Sequence, residues 1–67
     1  MITYSFTSKG REYMVNCKSL EEALKTASYH SESRVKVPVR ISIKTRNNIT
    51  NYDYHQIVKL CAKYGYL

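Results

Sequence analysis

The sequence predicts an α+β domain: a three-stranded antiparallel sheet, spatial order 2-1-3, with two helices on one face and the chain order β-β-α-β-α. Three observations lead there. Apolar residues alternate at period two from Ile2 to Cys17 and again from Val35 to Ile43, the pattern of half-buried strands. Two later stretches join a helix-capping pattern to apolar residues at helical spacing. Finally, 67 residues supply one domain, 1–67, and no second.

Ile2, Tyr4 and Phe6 alternate with Thr3, Ser5 and Thr7, and the next alternation runs through Tyr13, Val15 and Cys17. Between them, Ser8-Lys9-Gly10-Arg11 offers a turn in which Gly10 accepts positive φ. A two-residue Lys9-Gly10 loop pairs Phe6 with Tyr13, Tyr4 with Val15 and Ile2 with Cys17, all on one side. Any one-residue slip would mix the two faces. Ser19-Leu20-Glu21-Glu22 then reads as a capping box, and Leu20, Ala23, Leu24 and Ala27 form the apolar stripe of a helix fading near Tyr29-His30.

The third strand is predicted from Val35, Val37, Val39, Ile41 and Ile43, with the even-numbered residues opposite. Pro38 cannot donate to a ladder, so this strand is expected at a sheet edge or with a bulge. The last helix is expected to begin between Thr50 and Asp53, since both Thr50-x-x-Asp53 and Asp53-x-x-Gln56 resemble caps. Tyr54, Ile57, Val58 and Cys61 supply its buried face, with Leu60 and Tyr64 as further candidates. Gly65 is placed to end it in the left-handed conformation, with Tyr66 folding back toward Cys61 or Leu60. No internal repeat is visible. Placing strand three beside strand one makes every pairing antiparallel and leaves the second sheet face polar and open.

The composition, 43% apolar and 24% charged, is that of a globular chain with a small core. No apolar run approaches the ~20 residues that span a bilayer, and Met1–Thr7 lacks the features of a signal peptide. The expectation is therefore a cytoplasmic protein without a membrane partner. Cys17 and Cys61 show no Cys-x-x-Cys spacing. They read as small buried hydrophobes, with a Cys17–Cys61 bridge as the alternative in an oxidising compartment.

Catalysis finds little support. His30 and His55 lack acid or thiol neighbours at metal-ligand spacing, the only adjacent acids, Glu21-Glu22, suit a helix N-terminus, and two glycines make no phosphate-cradling loop. No enzyme, metal site or cofactor is expected. The net charge of +6 speaks instead about partners. From residue 34 to residue 46 stand Arg34, Lys36, Arg40, Lys44 and Arg46 with no acid among them. All are even-numbered, so a regular strand would project them from one face, as a docking surface for an acidic protein or for phosphates. Such charges also keep an exposed strand soluble. Tyr29, Tyr52 and Tyr66 are the aromatics expected at the surface for base stacking, with Tyr54 the alternative if it turns out of the helix's buried face.

The segment Tyr13-Met14-Val15-Asn16-Cys17-Lys18-Ser19-Leu20-Glu21-Glu22-Ala23-Leu24-Lys25-Thr26-Ala27 resembles the strand and capped helix of the small lytic-phage host-takeover proteins that inhibit the RNA polymerase of their bacterial host. Those inhibitors bind through an acidic strip, whereas this chain is basic along the corresponding strand and adds a C-terminal helix, so their binding residues do not transfer. What the resemblance implies is a manner of action: a compact, non-enzymatic phage-type protein that blocks or modulates a host or defence macromolecule in the host cytoplasm. The alternative is an RNA- or single-stranded-DNA-binding module using the same cationic face. A monomer and a homodimer both fit the sequence.

Overall fold

The computed structural model describes residues 1–33 and 35–66. Two hairpins, each followed by a helix, build one four-stranded antiparallel sheet: β1 (Ile2–Ser8), β2 (Arg11–Cys17), α1 (Leu20–Ser31), β3 (Lys36–Lys44), β4 (Ile49–Asp53) and α2 (Tyr54–Lys63). The spatial order is β2-β1-β3-β4. The α+β class and the antiparallel sheet stand as expected, but the strand count is corrected from three to four and the order to β-β-α-β-β-α.

The first hairpin forms in the register anticipated, with Ile2 opposite Cys17, Tyr4 opposite Val15 and Phe6 opposite Tyr13. Its loop takes φ of 53° at Lys9 and 80° at Gly10, the double positive φ of a type I′ turn. The Ser19 side chain then accepts from the Glu22 N–H, while the Glu22 carboxylate accepts from the Lys18 N–H.

The extra strand is β4. It holds only five residues, and its period-two signal is weak. Ile49, Thr50 and Tyr52 nevertheless favour extended backbone, and Tyr52 packs against the core rather than standing at the surface. The strand ends where α2 begins. Asp53 accepts from the Gln56 N–H, and the Gln56 side chain accepts from the Asp53 N–H, each at 2.9 Å. Of the two candidate caps, this one leaves Thr50 free to join β4. At the other end of α2, Gly65 has φ of 77°, and the Tyr66 N–H donates to Cys61 O while that of Gly65 donates to Ala62 O. These are the two bonds of a Schellman motif.

β3 departs most from expectation. Because β4 pairs with Arg40–Lys44, β3 is an interior strand over that half. Only its first half, containing Pro38, lies at an edge. The register against β1 shifts between Ser5 and Phe6: Arg40 faces Ser5, yet Pro38 faces Phe6, so Val39 is an extra residue. A bulge of this kind reverses side-chain parity from that point. Ile41 and Ile43 point to the core as predicted, whereas Pro38 replaces Val37 there, and Val37 and Val35 are about half exposed.

Tyr4, Phe6, Ala23, Leu24, Ala27, Ile41, Ile57 and Cys61 form the core between the sheet and both helices. Tyr13 and Val15 lie on the helix side, but at the β2 margin they stay partly exposed. Neither cysteine is in a disulfide. The Cys61 thiol is buried and donates to Leu24 O, and burial raises the pKa of both thiols. Topology thus repeats where sequence does not. Two ββα units meet through their first strands, β1 and β3, and Ser19 and Asp53 cap equivalent helices.

Candidate binding face

Both helices pack on the same side of the sheet, so the opposite side is open. Strand pairing arranges that side in rows. Asp53, Arg40, Ser5 and Met14 cross all four strands, and Asn51, Ser42, Thr3 and Asn16 form the next row. Ile49 and Lys44 lie beyond the second row, while Val37, Thr7 and Glu12 lie on the other side of the first. Polar links stiffen the second row: the Ser42 hydroxyl donates to Asn51 Oδ1, and Thr3 Oγ1 donates to Asn16 Oδ1. Met14, Val37 and Ile49 are 69%, 50% and 64% exposed.

The five cations do not share this face. Arg40 and Lys44 lie on it and are exposed, and Arg46 stands in the exposed loop between β3 and β4. Lys36 is corrected to the other side: the bulge aligns it with Ser8, and its ammonium sits 5.9 Å from the centre of the Phe6 ring. Arg34 lies outside the described residues. What the sequence missed is the apolar part of the face. The hairpin parity that turns Tyr13 and Val15 inward turns Met14 outward, but no expected site includes it, and Ile49 lies in no expected strand. Val37 was assigned to the core. Its only signal was Pro38, which allowed a bulge without locating it.

Two open depressions flank the cations. One, of about 380 Å³, is lined by Val39, Arg40, Asn51, Asp53 and Gln56. The other, of about 370 Å³, lies along Lys44–Ile49. In that corner the Lys44 N–H donates to Met1 O, and the Thr45 N–H donates to Asn48 O, so backbone bonds hold Lys44 and the loop in place.

Every aromatic residue of the strands points to the helix side: Tyr4, Phe6 and Tyr13 by the register of the first hairpin, and Tyr52 opposite Ile41. The open face therefore has no stacking platform. Among the described residues, no group of three or more His, Cys, Asp or Glu side chains converges. His30 is instead a buried partner of Tyr4, at 2.9 Å.

No protein family, curated protein or solved structure matches the chain. The functional reading therefore rests on the face itself. No helix is long and apolar enough to cross a membrane among the described residues.

Proposed function

We propose that this is a non-enzymatic binding protein that acts by covering an acidic surface of another protein with its open sheet face. Arg40, Lys44 and Arg46 supply the charge, and Met14, Val37 and Ile49 supply apolar contact. The observation that favours a protein over a nucleic acid is the composition of that face: exposed aliphatic side chains among the cations, acids at two of its margins (Glu12 and Asp53), and no aromatic ring. Single-stranded nucleic acid is held by stacking as well as charge, and phosphates are repelled by Glu12 and Asp53. A mixed apolar and cationic patch suits a protein interface, where charge steers encounter and apolar burial holds the complex. The manner of action implied by the likeness of residues 13–27 to phage takeover proteins is compatible with this reading, with a host or defence factor as the target.

The test is affinity capture from the source cell's lysate, with and without nuclease, using the natural chain and an Arg40→Glu/Lys44→Glu variant. Nuclease-resistant recovery of one protein, lost in the variant, supports the proposal. Recovery abolished by nuclease would replace it with the nucleic-acid reading. Recovery unchanged in the variant would remove this face from binding altogether.

A further inference from the structure

The two margins of the sheet differ. β4 is a short edge that runs directly into α2. β2 is longer, at seven residues, and contains no proline, glycine or bulge. Its charged residues, Arg11 and Glu12, sit only at the turn end, so the rest of the strand, Tyr13 to Cys17, is a ready template for another strand. Tyr13 and Val15, on the helix side of β2, are 45% and 40% exposed, and Met14 projects from its open side. We propose that β2 pairs antiparallel with β2 of a second copy of this chain, centred on Met14, to give a continuous eight-stranded sheet. This surface lies at the sheet's margin and is independent of the cationic part of the open face.

The register follows from the first hairpin. Ser8 and Arg11 flank a two-residue turn and so form a hydrogen-bonded pair, and such pairs alternate along an antiparallel ladder. Arg11, Tyr13, Val15 and Cys17 therefore direct their backbone N–H and C=O groups toward β1. Glu12, Met14 and Asn16 direct theirs outward. A two-fold axis through Met14 sets Met14 against Met14 of the second copy and Glu12 against Asn16, so every outward group on β2 finds a partner. Centring on Tyr13 would oppose Asn16 to Gly10 in the turn and leave its outward groups unpaired.

Side chains agree with the same register. Tyr13 faces Val15 of the second copy in a non-hydrogen-bonded pair, where side chains approach most closely and aromatic–β-branched contacts are favourable. Arg11 faces Cys17, Glu12 faces Asn16, and no like charges stand directly opposite. The half-covered Tyr13 and Val15 become buried. On the open face, Met14 of each chain joins into one apolar centre between the two cationic areas.

Sedimentation across a concentration series reads the assembly directly, and a species of twice the 7.8 kDa chain mass is expected. In a Cys17→Ser background, Met14→Cys should cross-link two chains under mild oxidation. The Cα separation of a hydrogen-bonded antiparallel pair, about 5.5 Å, lies within the range a disulfide spans. Tyr13→Cys should cross-link far less. Met14→Pro removes an outward N–H that the monomer does not use, so the sedimenting species should fall to single-chain mass with its circular dichroism preserved. Single-chain mass for the natural sequence at every concentration would overturn the proposal. So would a dimer that survives Met14→Pro, or preferential cross-linking through Tyr13→Cys.

Discussion

The Tyr4 hydroxyl lies 2.9 Å from Nδ1 of His30, and both residues are buried beside Phe6. Burial first, and the charge of nearby Lys36 second, lower the His30 pKa from its ordinary 6.5, while burial raises that of Tyr4. Both rings are thus neutral in the fold. The unfolded chain takes up a proton on this histidine below about pH 6.5, whereas the folded chain resists until lower pH. Stability from this pair is complete above that point and declines as pH falls through the lowered folded value. Urea unfolding midpoints should fall between about pH 7.5 and pH 5, and in His30→Gln that part of the fall should vanish. Tyr4→Phe leaves Nδ1 of a buried imidazole without its partner and should cost about 1–3 kcal/mol at neutral pH.

Lys9 occupies the first left-handed position of the β1–β2 turn at φ of 53°. For a residue with a Cβ that conformation costs roughly 1–2 kcal/mol, and asparagine tolerates it better. Lys9→Asn gives the Asn-Gly pair that type I′ turns favour. It should stabilise the protein by about 0.5–1 kcal/mol, measured as a raised urea midpoint with an unchanged slope.

The pieces legible in the sequence were those written in local chemistry. The turn residues and the parity of Ile2–Cys17 set the first hairpin, Ser19 with Glu22 started α1, and Gly65 ended α2. β4 was hidden because Asp53 is shared between strand and cap, and five residues carry too little alternation to register. The candidate face was legible only in part. Arg40 and Lys44 follow the alternation of a strand, but the bulge at Val39 is set by pairing with β1, a long-range relation that local spacing does not encode. One inserted residue sent Lys36 and Val37 to opposite sides from those expected.

That exchange separates Lys36 from Arg40 functionally. On the proposed binding face, Arg40→Glu reverses a charge within the contact and should weaken binding of an acidic protein by at least fivefold, roughly 1 kcal/mol or more. Lys36→Glu lies across the sheet and should leave that affinity within about twofold, although it changes net charge equally. Isothermal titration with the captured partner separates the two. Equal losses would mean that overall charge, rather than this face, drives association.

Asp53 joins stability to binding in one side chain. Its carboxylate caps α2 through the Gln56 N–H, and its position in β4 faces Arg40 on the open side. Asparagine retains the capping oxygen without the charge, so Asp53→Asn should keep stability within about 0.5 kcal/mol. By removing an anion beside Arg40 it should also tighten an acidic partner roughly twofold, equivalent to about 0.5 kcal/mol. Asp53→Ala removes charge and cap together. It should bring the same gain in affinity while lowering stability by about 1 kcal/mol. Titration and urea unfolding of both variants would resolve the two roles, and affinity unchanged in both would place Asp53 outside the contact.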